Sequence, residues 1–366
     1  MVIIGAGIIG CAVAHRLARR GARVRVFDAR TVGAGATQAS AGVLAPYIES
    51  PREGPLLELA VRSLSDYGGF VADVGQDSGM EIEYRISGTL EVAADAENAT
   101  RLRAGIRGTA QWLDTGPTLR GEPSLAESIH GAVLIEEHGY VAAPQLLEAL
   151  TWAAVRHGAE IETGRRIVRV EQYGQGLAVR AEDGASWPAQ HVVLAAGSWS
   201  SRVGLPEPLA DAVRPIRGQL LRLTWPAAPL PRHVIWGPDC YVVPWKDGTV
   251  LVGATVEDVG FDERTTAAGV RDLLDAVCEL LPAAWGATFR EARAGLRPAT
   301  ADGLPIIGPS AGTPGVTYAT GHYRNGVLLA PITAALVADW ILEGRIDPAL
   351  RPFQPARFST EKGQAS

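Results

Sequence analysis

The stretch GHYRNGVLLAP, Gly321 to Pro331, places an arginine at the mouth of an apolar segment. From Val327 to Leu342 the sole ionisable residue is Asp339, which predicts a buried helix starting near Gly326. A cation there would face the positive end of the helix dipole. Arg324 therefore calls for an anion, either a structural partner such as Glu49 or a bound ligand. A second arginine, Arg297 in AGLRPAT, is flanked by Gly295, Leu296 and Pro298 and so leaves an apolar, constrained strand end. A guanidinium in such a place pairs with a buried acid, or forks onto a carboxylate through two charge-assisted hydrogen bonds. Glu49, after LAPYI, is costly in an apolar neighbourhood unless it is paired. Tyr241, in CYVVP, reads on its own as a core residue of an apolar strand.

The elements that must hold such groups begin at the first residue. MVIIGAGIIG reads as a short apolar strand ending in Gly5, Gly7 and Gly10, with Ala6, Ile8 and Ile9 between them. CAVAHRLARRG continues at helical spacing and stops at Gly21, and ARVRVFDA alternates as a second strand ending on Asp28. This is a complete βαβ unit. Gly5 allows the tight turn, Gly7 lets the backbone approach a pyrophosphate, and Gly10 lets helix and strand pack closely. The helix N-terminus offers N–H groups to phosphate, and Asp28 stands where a carboxylate accepts from ribose hydroxyls. The unit does not separate NAD from FAD. The following loop, Arg30 to Pro46, is rich in Gly, Ala, Ser and Thr and lets backbone run against a flat, extended cofactor, which favours a flavin nucleotide.

With 366 residues, 47% hydrophobic content and 42 glycines, the chain is expected to be a globular α/β protein. A net charge of −6 without a basic block argues against nucleic acid, and the apolar runs are too short to span a bilayer. No Lys or Arg precedes the first apolar run, so no signal peptide is expected. Cys11, Cys240 and Cys278 lie far apart, suggesting neither a disulfide framework nor a metal site, and a cytoplasmic setting is expected.

Further along, Gln145 to His157 reads as a helix, GAEIETGRRIVRVEQ as a strand pair turning at Gly164, and AQHVVLAAGSWS as a buried strand running into a turn at Gly197. Alternating segments between these, with a hairpin signal at Asp247-Gly248, suggest a large antiparallel sheet. The expected organisation is α/β plus α+β. A discontinuous, Rossmann-like dinucleotide-binding domain (1–80, 145–214 and 291–353) is interleaved with a substrate domain (81–144 and 215–290), followed by a frayed tail (354–366).

The three-glycine turn, SAGVLAP, VVLAAGSWS, CYVVP, AGLRPATADGLPIIG and GHYRNGVLLAP together resemble the FAD-dependent amine oxidases of the D-amino acid oxidase family, in order, from Met1 to about Phe353. The likeness is nearest to its glycine-oxidising members of thiamine thiazole synthesis. The resemblance implies non-covalent FAD, since the cysteine that related enzymes use for attachment has no counterpart after Cys278. It implies cofactor contacts from the glycine turn, Asp28, Ala29, Arg30, Thr37, Ser40, Ala41, Gly42, Val43, Val168 (a backbone group at the adenine), Ala196, Gly197, Trp199, Arg297, and Tyr323 to Leu328 (Tyr323, Arg324, Asn325, Gly326, Val327, Leu328). It implies that Arg297 and Tyr241 hold a substrate carboxylate, that Glu49 lies near the amine, and that Arg324 also binds substrate in an electrostatic or gating role, with no acid–base residue strictly required.

The activity implied is oxidative deamination of glycine, sarcosine or small D-amino acids by hydride transfer to flavin N5. Oxygen is then reduced to hydrogen peroxide, the imine hydrolyses to an oxo acid and ammonia, and the protein forms a homo-oligomer. Alternatives within the same fold are a D-amino acid dehydrogenase using another acceptor and a tRNA-modifying flavoprotein domain. Tyr47, Trp236, Trp245 and Tyr323 are the candidates for bulk around a substrate side chain.

Overall fold

The structure is a computed structural model describing residues 1–50, 53–206, 212–226 and 229–358. Its first sheet has six strands, in the spatial order Ile306–Pro309, Val316–Thr320, Val192–Leu194, Val2–Ile4, Arg25–Phe27 and Glu160–Glu162. All neighbours are parallel except the first pair. Helices cover the central strands, so those strands read as short continuous apolar runs, VII and VVL, rather than alternating ones. Helix Ile8–Arg19 packs between helices Ala143–Arg156 and Ala330–Glu343, and the long helix Pro55–Ser78 lies over the latter two. His15, His157 and Arg19 converge on one oxygen of Asp77 at 2.7, 3.2 and 3.1 Å, tying three of these helices together.

The second large sheet has eight strands, in the order Thr288–Ala299, Arg214–Thr224, Thr249–Gly253, Tyr241–Pro244, Val234–Trp236, Thr89–Val92, Ala132–Ile135 and Gln111–Leu113. It is antiparallel apart from one parallel pair, Val234–Trp236 with Thr89–Val92. The hairpin expected at Asp247-Gly248 joins Tyr241–Pro244 to Thr249–Gly253, with Gly248 at φ +81°. A small sheet of Val43–Leu44, Gly139–Val141 and Tyr84–Arg85 links the two halves.

Four expectations are corrected. The strands flanking Gly164 do not pair with each other: Glu160–Glu162 joins the parallel sheet and Ile167–Tyr173 pairs with Gly176–Ala181 in a separate sheet. The turn is real (Gly164 φ +71°), but local sequence does not say which sheet each arm enters. Strand Thr288–Ala299 runs across the boundary expected at 290/291 and belongs to the eight-stranded sheet, because its full length pairs with Arg214–Thr224. The helix expected from Gly326 begins at Ala330. Pro331 has no N–H for the Val327 carbonyl, which accepts instead from the Tyr67 hydroxyl at 3.1 Å, so the regular helix starts just before that proline. Finally, Pro355–Phe358 forms a short 3-10 turn whose Arg357 reaches Asp302, where a frayed tail was expected; residues 359–366 lie outside the described residues.

Candidate active site

A cleft of about 370 Å³ runs from the first glycine turn to the face of the eight-stranded sheet. Gly7 caps helix Ile8–Arg19 without a side-chain bond. The Ile8 amide donates to Thr37 Oγ1 at 3.1 Å, whereas the next first-turn amides have no intrahelical acceptor. Asp28 accepts from the amides of Ala6 and Arg30, each at 2.8 Å, so its carboxylate braces the glycine turn as well as facing the cleft. Gly5, Gly7, Ile8, Ile9, Asp28, Ala29, Arg30, Thr37, Ser40, Ala41, Gly42, Val43, Ala196, Gly197 and Trp199 all line this half. Arg30 is engaged by Glu263 at 2.8 Å and lies 4.3 Å over the Trp199 ring. Val168 also lines the cleft, at a ladder irregularity where the pairing with the neighbouring strand skips it.

Ala6, Gly10, Asn325 and Leu328 do not reach the cleft. Ala6 and Gly10 form its backing, and Leu328 is buried behind it with its carbonyl accepting from Ser63 Oγ at 2.6 Å. Asn325 is buried, and its carbonyl accepts from the Leu329 amide.

The other end of the cleft gathers Glu49, Tyr241, Arg297, Tyr323 and Arg324, with Gly326 and Val327 beside them. Arg324 Nε lies 2.9 Å from Glu49 Oε2, and its guanidinium faces the Trp236 ring at 5.6 Å. With the helix starting six residues later, the arginine's anion is this glutamate, presented by the single turn Pro46–Glu49. Burial pushes the Glu49 carboxyl up, against the opposing pull of Arg324 and Arg297. Arg297 is buried enough for desolvation to lower its own pKa, yet among the described residues no carboxylate forms an ion pair with it. Its Nη1 donates only to main-chain carbonyls, Thr255 at 2.9 Å and Arg217 at 3.2 Å. Burial likewise raises the Tyr241 hydroxyl. Tyr241 stacks on Trp236 with ring centroids 5.0 Å apart.

Of the four bulky candidates, Tyr323 lines the cleft, and Trp236 stacks behind Tyr241 without lining it. Trp245 is in the core under Arg222, and Tyr47 stacks on His138 at 5.5 Å.

Tyr323 was an expected contact, but its backbone conformation and several neighbouring groups were not anticipated. Tyr323 has φ +48°, a left-handed conformation unusual for a tyrosine, held by its amide donating to the Pro298 carbonyl at 2.9 Å. Its neighbour His322 lines the cleft; burial drives its pKa down to about 3, and Nε2 sits 3.1 Å from Thr333 Oγ1. Two strand glycines make room for the key side chains. A Cβ on Gly218 would fall 2.1 Å from Arg297 Nη2, and one on Gly253 would fall 2.4 Å from the Tyr241 hydroxyl. An isolated glycine in a strand pattern is the available sequence signal for such close approach. We expect Gly218→Ala to displace the guanidinium and raise the KM for a carboxylate substrate at least tenfold, roughly one lost charge-assisted hydrogen bond, while FAD content is retained. Steady-state kinetics beside a flavin-to-protein absorbance ratio checks this, and an unaltered KM contradicts it.

The parallel sheet, the glycine turn and the arginine-lined end define a dinucleotide-dependent oxidoreductase. The family model DAO, FAD dependent oxidoreductase, matches residues 1–340, and the chain belongs to that family. It is similar to a glycine oxidase of Geobacillus kaustophilus (strain HTA426), at 34% identity over 370 residues, covering 99% of this chain and 98% of that one. It is also similar to the bifunctional protein ThiO/ThiG of a Nostoc species, at 38% identity, covering all of this chain (100%) but 56% of that longer protein. Among solved structures, glycine oxidase from Geobacillus kaustophilus superposes with a TM-score of 0.91 at 34% identity, covering 97% of this chain and 98% of that one. The fold expected from the sequence is thus observed, and the cofactor is FAD. The residues fit such a group: a helix N-terminus without a side-chain cap, a glycine at the approach point and a carboxylate at the end of the second strand.

Proposed function

We propose that this chain is an FAD-dependent glycine oxidase. Glycine, oxygen and water give glyoxylate, ammonia and hydrogen peroxide, with sarcosine and small D-amino acids as further substrates. The observation that carries the reading is a half-buried arginine whose partners, among the described residues, are two main-chain carbonyls and no carboxylate, beside a half-buried tyrosine in an FAD-binding cleft. A substrate carboxylate completes that arginine. FAD, when bound, supplies the two-electron acceptor, and the chain's own residues bind and orient.

In this reading Arg297 and the Tyr241 hydroxyl fix the carboxylate, so the small substrate cannot rotate freely. Trp236 stacks on Tyr241 and Tyr323 lines the cleft beside it, bulk that favours a substrate without a long side chain. Glu49 is already paired with Arg324, which keeps the two charges from acting as a free acid and a free base in the site. The left-handed turn at Tyr323 holds Arg324 at the rim, where a partner switch from Glu49 to a ligand would give the gating role. No residue needs to remove a proton from carbon if the amine enters neutral. The likeness to ThiO/ThiG proteins supports a place in thiamine thiazole synthesis. No helix among the described residues is long and apolar enough to cross a membrane. A homo-oligomer in the cytoplasm is the assembly we propose.

The test is the visible spectrum of the purified protein before and after anaerobic glycine. The flavin bands bleach if the reading is right. Bands that persist with glycine, sarcosine and D-alanine alike would overturn it.

A further inference from the structure

Behind Arg297 lies a polar cluster with no part in the chemistry itself. The two carbonyls that receive Arg297 Nη1 belong to Arg217 and Thr255, and both residues are tied down by side chains. Thr255 Oγ1 accepts from the Gln219 amide at 2.8 Å and donates to Glu257 Oε1 at 2.6 Å. Gln219 Nε2 donates to the same glutamate oxygen at 2.8 Å, and Gln219 Oε1 accepts from the Thr266 amide at 2.8 Å. The other Glu257 oxygen receives Arg217 Nη2, and Arg217 Nη1 lies 3.0 Å from Asp262 Oδ2. The Arg217 carbonyl is shared, since the Glu257 amide also donates to it at 3.0 Å. Gln219 and Arg217 are buried, so the cluster is internal, where removing one member leaves others unsatisfied.

The Thr255 hydroxyl is the hub. It bridges strand Arg214–Thr224 to Glu257 and thereby sets the direction of its own carbonyl, which is the nearer of the two holding Arg297. Gly218, opposite the guanidinium, leaves no side chain there to orient it, so the carbonyls do so. A fork binds a carboxylate well only in a narrow range of orientations.

We propose that Thr255 is a positioning residue for the substrate: through its carbonyl, held by the hydroxyl's bonds to Gln219 and Glu257, it fixes the plane in which Arg297 meets a carboxylate. The proposal rests on the reading of Arg297 as the carboxylate anchor. It separates the hydroxyl's role from general stability, because the affected quantity is carboxylate affinity and not cofactor binding.

Thr255→Val keeps the shape and removes the hydroxyl; Thr255→Ser keeps the hydroxyl. Acetate, a carboxylate with neither amine nor oxidisable C–N bond, is titrated into each FAD-loaded protein and followed by the flavin absorption. Thr255→Val should weaken acetate binding about tenfold and raise the glycine KM similarly, the scale of one misaligned charge-assisted hydrogen bond, with kcat and the FAD dissociation constant close to wild type. Thr255→Ser should restore both. Should the valine protein fail to hold FAD, Glu257→Gln is titrated in the same way, and a shift in the same direction is expected. Acetate affinity unchanged by these variants but weakened by Arg297→Lys overturns the role of Thr255 and leaves the anchor standing. Affinity unchanged by Arg297→Lys as well overturns the anchor itself.

Discussion

Arg297→Ala raises the KM for glycine about a hundredfold or more. Glycine carries little besides its carboxylate and amine, so a large share of its binding energy passes through whatever holds the carboxylate. Deleting one side of a buried, hydrogen-bonded charge pair costs about 2–5 kcal/mol, and each ~1.4 kcal/mol is tenfold. The residue's environment argues for the upper half of that range. Desolvation in the cleft lowers the pKa of the half-buried Arg297, and its Nη1 is spent on two carbonyls. The loss therefore falls on substrate, with FAD retained. Alanine also removes one of the two cations that hold the Glu49 carboxyl down, so that acid shifts further upward and its pairing with Arg324 weakens toward lower pH. Arg297→Lys should fall between wild type and alanine, because an ammonium keeps the charge but not the fork. Steady-state kinetics across pH, with acetate titrations of the oxidised protein, check the series. A glycine KM within twofold of wild type in the alanine protein would remove Arg297 from the substrate site.

The part of this architecture legible in the sequence is the part built from contiguous residues. The first strand, the glycine turn, the helix to Arg19 and the second strand lie within one short segment, so periodicity and turn chemistry place them together. The Asp247-Gly248 hairpin was legible for the same reason. The pairing of Arg324 with Glu49 was open as one of two answers, and the fold chose it by setting the turn Pro46–Glu49 against the loop before helix Ala330–Glu343.

What stayed hidden depends on partners far along the chain. Nothing local tells that the strand after Gly164 leaves the parallel sheet, or that Thr288–Ala299 completes the antiparallel one. Gly218 and Gly253 look like ordinary weak points of their strands, and only the distant Arg297 and Tyr241 give them a purpose. The Thr255 cluster draws on six positions, from Arg217 to Thr266, that meet only after two strands have paired.

The glycines of the first turn supply the second large effect, and they divide into two kinds. A Cβ on Gly10 would lie 1.9 Å from the Gly5 carbonyl oxygen, a backbone atom that cannot swing aside. Gly10→Ala must therefore pry helix Ile8–Arg19 away from strand Val2–Ile4, and we expect a loss of about 3 kcal/mol of stability even in the protein stripped of FAD, at the upper end for overpacking. A Cβ on Gly7 meets nothing nearer than Thr37 Oγ1, at 3.4 Å, so the protein itself has room for it. Gly7 lines the cleft at the helix N-terminus, however, and the methyl would stand where a pyrophosphate must come close. Gly7→Ala should leave the unfolding curve of the apoprotein close to wild type and weaken FAD binding by about two orders of magnitude, a few kcal/mol of lost amide–phosphate contact. Urea unfolding of the apoproteins and titration of FAD by flavin fluorescence quenching separate the two cases. Equal apoprotein stability in Gly10→Ala and wild type would show that the helix has slack the geometry does not reveal. Wild-type FAD affinity in Gly7→Ala would mean that the phosphates approach the chain somewhere other than this turn.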